Sequence, residues 1–206
     1  ELSITVGSKG YHTEKFVDQI SVGTSHICAI NNDALNCWGG AALDFSHLQN
    51  PSQVVSRHGT SCAIAASGIV DRGVVCWDQF GFRSDVPANI VNPREIQVAG
   101  YQSCAIADSG VNCWGYSDSI LEQGFVAPHG LVIGGSLSGC VLDGNRVECW
   151  GDQAPLEDSQ PASLMNPKQL DVLGLNACVL DDNGVQCWGD DTRYQQLPVL
   201  AHPRKV

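Results

Sequence analysis

Short stretches with an apolar residue at every second position recur along the chain. Ile20 and Val22 in "DQISVG", Ile96 and Val98 in "REIQVAG", and Leu170 and Val172 in "KQLDVLG" alternate with polar neighbours. That is the pattern of a strand with one face buried. "SQVV" and "GLVIGG" hold the matching places between them. Four of these five segments follow a proline. Asn50-Pro51, Asn92-Pro93, Ala127-Pro128, Asn166-Pro167 and His202-Pro203 recur 35 to 42 residues apart. A fixed period of this size marks a repeat architecture and takes precedence over other readings.

Behind each strand-like segment lies a pair of cysteines. The pairs are Cys28 and Cys37, Cys62 and Cys76, Cys104 and Cys113, Cys140 and Cys149, and Cys178 and Cys187. Four pairs have eight intervening residues and the second has thirteen. A tryptophan follows every second cysteine, as Trp38, Trp77, Trp114, Trp150 and Trp188, which are all five in the chain. The pairs read as hairpins. With Cys104 facing Cys113, Ala105 faces Asn112 and Ile106 faces Val111, and residues 107–110 form a loop closing on Gly110. Cys104, Ile106, Val111 and Cys113 then share one face, and Ala105, Asn112 and Trp114 the other. Opposed cysteines in such a register are close enough for a bond. Zinc ligands come as tighter C-x2-4-C knuckles, and redox pairs as C-x-x-C at a helix start. Neither fits, so the expectation is five intra-hairpin disulfides in an oxidising compartment. Each closes a loop of about ten residues, worth about 2.5–3 kcal/mol in the chain-entropy model. Buried free thiols are the alternative.

Composition narrows the classes. Charged residues make up only 16% of 206 positions while glycine supplies 22 of them, which favours turn-rich β-structure over helices. The net charge of −11, with only 11 Lys and Arg, leaves no basic face for nucleic acid or anionic lipid. No apolar run approaches 18 residues, so membrane insertion is not expected. "ELSITVG" begins inside what reads as a strand, which suits a processed or cut N-terminus.

The unit resembles the repeat of the regulator-of-chromosome-condensation (RCC-type) family. Gly23, His26, Ala29, Ile30, Trp38 and Gly39 carry the match in the first copy, and Ala105, Ile106, Gly110, Val111, Trp114 and Gly115 in the third. Cysteine-bearing versions are similar to secreted bacterial repeats and plant Crinkly-type receptor ectodomains. The resemblance implies an all-β propeller of four-stranded blades. Seven blades are usual in that family, whereas five hairpin signatures, at 28–38, 62–77, 104–114, 140–150 and 178–188, predict a single five-bladed domain over residues 1–206, with part of a larger ring as the alternative. At about 41 residues per unit the period suits propeller blades. "HPRKV" at one end resembles "NPREI", and "LSITVG" at the other resembles "EIQVAG". The two ends are therefore expected to meet and close the ring.

Candidate chemistry is sparse. The histidines at 12, 26, 47, 58, 129 and 202 are scattered, and no nucleophile elbow, phosphate loop or HExxH is present, so no catalysis is expected. His26 is expected to bond within its own blade, since Thr60, Gln102, Ser138 and Asn176 hold its place elsewhere. The once-per-repeat tryptophans read as packing between blades rather than as sugar platforms. Asp152, Asp190 and Asp191 lack a calcium loop and read as solvated surface; no cofactor or metal is implied. The second repeat breaks the pattern most. "AIAASGIVDRGVV" lengthens its hairpin, with Asp71 and Arg72 at an exposed tip, and "WDQFGFR" replaces Trp-Gly. Phe80, Phe82 and Arg83 form an aromatic and arginine cluster in a loop, a composition common at binding hot spots. Arg72, Phe80, Phe82, Arg83, Tyr116, Arg193 and Tyr194 are the candidate contacts, with Phe45, His47 and Tyr101 as further loop residues. The expected function is an extracellular or periplasmic binding module for a protein partner, of adhesin, receptor-ectodomain or inhibitor type. A glycan-binding propeller and a scaffold component are the alternatives.

Overall fold

A computed structural model of the chain describes residues 17–40, 43–65, 73–82, 85–100, 102–115, 119–120, 124–135, 138–151, 160–161 and 163–190. Among the described residues there is no helix, and seventeen strands form five antiparallel sheets, numbered in chain order. Sheet 1 holds β1 (Gln19–Val22), β2 (His26–Asn31) and β3 (Ala34–Gly39). Sheet 2 holds β4 (Gln53–Arg57), β5 (Thr60–Ile64), β6 (Val74–Asp78) and β7 (Gly81–Phe82). Sheet 3 holds β8 (Glu95–Ala99), β9 (Gln102–Ala107), β10 (Gly110–Gly115) and β11 (Ser119–Ile120). Sheet 4 holds β12 (Pro128–Ile133), β13 (Gly139–Asp143) and β14 (Arg146–Trp150). Sheet 5 holds β15 (Gln169–Leu173), β16 (Asn176–Asp181) and β17 (Gly184–Gly189). Sheets 2 and 3 thus have the four strands expected of a blade, while sheets 1, 4 and 5 have three among the described residues. The first strand of each sheet is the segment of alternating apolar residues.

The hairpin register follows from the cysteine spacing. Cys104 opposes Cys113, Ala105 opposes Asn112 and Ile106 opposes Val111, with Ala107 and Gly110 adding one further rung. All five expected bridges are present: Cys28–Cys37, Cys62–Cys76, Cys104–Cys113, Cys140–Cys149 and Cys178–Cys187. Their Cα atoms are 4.0–4.1 Å apart. That separation belongs to the closely spaced, non-hydrogen-bonded pairs of an antiparallel ladder. No cysteine is left as a free thiol.

The recurring Asn-Pro also has a local cause. Asn50, Asn92 and Asn166 each take a φ of +49 to +52° before their proline, in the left-handed region that asparagine tolerates best after glycine. An aspartate at the end of the middle strand fastens this linker in two sheets. Asp143 accepts the N–H of Val126 and Ala127, and Asp181 that of Met165. Burial pushes the Asp143 carboxyl up, but those two N–H groups and Arg146 more than offset it and hold it below the usual carboxylate range.

The two faces of each sheet have different roles. The disulfide face of one sheet receives the tryptophan face of the next. Cys28, Ile30 and Leu35 of sheet 1 pack on Val54, Ala63, Val75 and Trp77 of sheet 2. Cys62, Ile64, Val74 and Cys76 then receive Trp114, Ile96 and Val98. Trp150 enters over Cys104 and Cys113, and Trp188 over Cys140 and Cys149. Side-chain clamps join the inner strands as well. Gln19 accepts the N–H of Val54, Gln53 bonds both N–H and C=O of Ile96, and Glu95 accepts the N–H of Gly130 and Leu131. In sheet 4 the matching position is His129, which opposes Leu142 and turns its Nδ1 to the Ala127 carbonyl. There the backbone makes the join, with Gly174 N–H donating to the carbonyl of Gly134 at 2.7 Å. His26 differs from expectation: its Nε2 meets Ser61 Oγ of sheet 2, so its bond lies between sheets and not within one. The reason is direction, since His26 shares the disulfide face with Cys28. The expected meeting of the chain ends falls on residues 1–16 and 191–206, outside the described residues.

Candidate functional site

Where a loop bearing Phe80 and Phe82 was expected, Gly81–Phe82 form a fourth strand instead. Gln79 and Phe80 form a two-residue turn, and β7 folds back so that Phe82 opposes Trp77 and Gly81 opposes Asp78. Gly81, at φ +139°, allows the reversal. Asp78 Oδ1 accepts the N–H of Phe80 at 2.7 Å and fixes the turn. The Phe80 side chain is thereby held in solvent, 88% exposed. Beside it lies an aromatic shelf. Phe82 stands edge-on to Phe45 (5.8 Å between centroids) and to His47 (5.6 Å), and Phe45 tilts against Trp77 at 4.8 Å. Trp77 itself is buried. The linker carrying Phe45 is tied by Asp44, whose Oδ1 accepts the N–H of Ser46, and by the Leu48 N–H on the Phe45 carbonyl. The hydrogen bonds from Ser46 hold the exposed Asp44 carboxyl below its usual range.

So the two phenylalanines separate in role. Phe82 packs on Phe45 and His47 and keeps 37% of its surface exposed, while Phe80 is presented in full. Arg72, Arg83, Tyr116, Arg193 and Tyr194, with Asp71 and Tyr101, lie outside the described residues, as do Asp152 and Asp191. Among the described residues no group of three or more His, Cys, Asp or Glu is placed to hold a metal ion. Four of the five tryptophans are 0–7% exposed, committed to sheet-to-sheet packing; Trp38 is 46% exposed.

Three exposed apolar residues have no counterpart among the sequence-based expectations. Val91, Val126 and Met165 each lie two residues before a repeat proline, and all three are exposed. They stand where the linker enters sheets 3, 4 and 5, at the end opposite the Phe80 turn. Their fixed distance from Pro93, Pro128 and Pro167 is the signal that could have found them.

No protein-family model and no curated relative matches this sequence. Solved structures do. The chain is similar to the CRINKLY WD40 ectodomain of the Arabidopsis thaliana receptor kinase ACR4, at 20% identity and a TM-score of 0.61, over 85% of this chain and 70% of that one. It is similar to the ectodomain of the Physcomitrella patens receptor kinase CR4, at 19% identity and 0.60, over 85% and 53%. Prp20p from Saccharomyces cerevisiae, described with its binding to Gsp1p and histones, gives 12% identity and 0.60, over 85% and 58%. At these identities the likeness establishes the fold, which is that of the RCC-type repeat propellers.

Proposed function

We propose that residues 1–206 form one five-bladed propeller domain, closed where the two ends of the chain meet. In this reading it works in an extracellular or periplasmic setting as a non-catalytic module that grips a protein partner. Phe80 carries the proposal. A large apolar side chain presented in solvent by its own turn, next in the strand to an aromatic group of Phe82, Phe45 and His47, has the composition that binding hot spots favour. Arg72 and Arg83 flank it in sequence, and Tyr116, Arg193 and Tyr194 are the further contacts in other repeats. Five disulfides support an oxidising location. The receptor-ectodomain neighbours support a binding role. A glycan-binding reading has less support, because the repeated tryptophans that would stack on sugars are mostly sequestered.

The test uses a photo-crosslinking benzoylphenylalanine in place of Phe80, with the same group in place of Val126 as control. The expected result is one protein adduct from position 80 only, with that protein binding the Phe80→Ala variant at least about tenfold more weakly. Equal adducts from both positions, or a glycan-array signal without a protein adduct, would overturn the proposal.

A further inference from the structure

The lysines and arginines among the described residues are Arg57, Arg94, Arg146 and Lys168. Three of them are matched: Arg94 pairs with Asp108, Arg146 with Asp143 and Glu148, and Lys168 with Asp182. Arg57 meets no carboxylate among the described residues, in a chain that carries 22 Asp and Glu. It ends β4 and is exposed. Its Nη1 donates to the Ile133 carbonyl at 3.4 Å, so the side chain passes sheet 3 and reaches the end of β12 in sheet 4. One bond to one carbonyl leaves most of the five guanidinium donors without a partner among the described residues. His58 follows in the two-residue turn between β4 and β5, at φ +51°. Gly100 and Gly174 hold the same turn position in sheets 3 and 5, at φ +58° and +59°. Glycine adopts that backbone freely and histidine at a cost, so a side chain is kept where the turn favours none. Such a departure points to a use for the imidazole. Its Nδ1 accepts the Gly100 N–H at 3.4 Å. The ring proton then sits on Nε2, which is left to donate.

We propose that Arg57 and His58 together bind one carboxylate, and that the protein gripped at Phe80 supplies it from an Asp or Glu side chain. This rests on the partner reading above and names the partner's chemistry: an apolar pocket for Phe80 with an acidic group inward of it. Position supports a single partner. One rung of sheet 2 runs Arg57, Thr60, Asp78 and Gly81, across β4 to β7. The His58 turn and the Phe80 turn therefore leave the same end of the sheet, about 10–14 Å apart at about 4.8 Å per strand. An interface of about 800 Å² per partner is roughly 30 Å across and covers both. Chemistry selects the group. The planar guanidinium matches the two oxygens of a carboxylate, and the imidazole N–H adds a further donor. One guanidinium beside a neutral ring also balances a single negative charge. A phosphate monoester would bring about −1.5 to −2 into a chain of net charge −11.

The test is a side-chain NMR titration of the full chain at low ionic strength. The probes are N-acetylglutamate N-methylamide, its uncharged glutamine counterpart, and inorganic phosphate. The expected result is a saturable shift at the Arg57 Nε–H and the His58 ring with the glutamate probe alone, without comparable shifts at Arg94 and Arg146. Arg57→Gln should weaken that binding at least about tenfold. His58→Gly should weaken it several-fold while the Tm holds or rises, because glycine suits the turn; a merely structural histidine would lower the Tm and leave the titration unchanged. The carboxylate site is overturned by the absence of a saturable shift, by an equal response to the glutamine probe, by equal shifts at Arg94, or by tighter binding of phosphate. With the protein captured at position 80, Arg57→Gln should weaken binding at least about tenfold; an unchanged affinity would overturn the assignment of the carboxylate to that partner. A positive titration with no adduct at position 80 would refute the partner reading and leave the carboxylate site standing. An adduct without a titration response would do the reverse.

Discussion

Gln53 offers a sharp test of how the sheets are held together. Its Oε1 accepts the Ile96 N–H at 2.8 Å and its Nε2 donates to the Ile96 carbonyl at 3.2 Å. Both Ile96 groups sit on the inner edge of sheet 3, where no further strand of that sheet pairs with them. Gln53→Ala removes two hydrogen bonds, each worth about 0.5–1.5 kcal/mol net. It also leaves a poorly solvated N–H, at a cost of about 1–3 kcal/mol if water does not reach it. The expected loss is about 2–6 kcal/mol in urea unfolding. At about 2–4 °C per kcal/mol for a chain of this size, Tm falls by roughly 4–24 °C. Gln53→Glu keeps the acceptor for the Ile96 N–H but turns a carboxylate oxygen towards the Ile96 carbonyl, unlike Glu95, whose two oxygens both accept N–H groups, so it should cost at least as much as Gln53→Ala. Amide exchange at Ile96 provides the local readout and should accelerate in Gln53→Ala. A Gln53→Ala protein within about 0.5 kcal/mol of the parent, with Ile96 exchange unchanged, would refute the clamp as a source of stability.

Trp114, fully buried between sheets 2 and 3, should cost about 3–5 kcal/mol on truncation to alanine, measured by urea unfolding. Phe80→Ala should leave stability within about 0.5 kcal/mol, whereas Phe45→Ala should lower it by about 1–3 kcal/mol because Phe45 supports Trp77 and Phe82; equal effects would merge the two roles. Burial lowers the His26 pKa, so the folded protein binds fewer protons there than the unfolded chain. Stability should therefore fall as pH drops from about 6.5 towards the folded value. His26→Gln, the residue found at position 102, should flatten that slope in pH-dependent unfolding.

The repeat, the hairpins, their pairing and the disulfides are legible in the sequence because each rests on a local rule applied five times. Alternation sets the faces, and the cysteine spacing sets the register. The clamps are visible only as Gln19, Gln53 and Glu95, and a polar residue on a strand reads equally well as solvated surface. Only the approach of the neighbouring sheet shows that Gln53 reaches Ile96. His26 reads as serving its own blade for a related reason: the serine it meets is 35 positions away in sequence. At the candidate site, composition points to Phe80 and Phe82 together. Separating them requires Phe45 and His47, which come from the linker before sheet 2 and pack on Phe82. The fourth strand β7 escapes a sequence reading because two residues carry no periodicity.

Each disulfide begins and ends within one hairpin. No disulfide therefore spans two repeats, and apart from the chain's own linkers sheet joins sheet through side-chain packing and hydrogen bonds. During oxidative folding each cysteine has its correct partner 9 or 14 residues away, so pairing can be settled before the sheets assemble. The same locality makes the repeat a unit of inheritance: duplication or deletion of one copy adds or removes a complete bridge and strands no thiol. Linkers such as the one bearing Phe45 can then diverge without disturbing the cysteine framework.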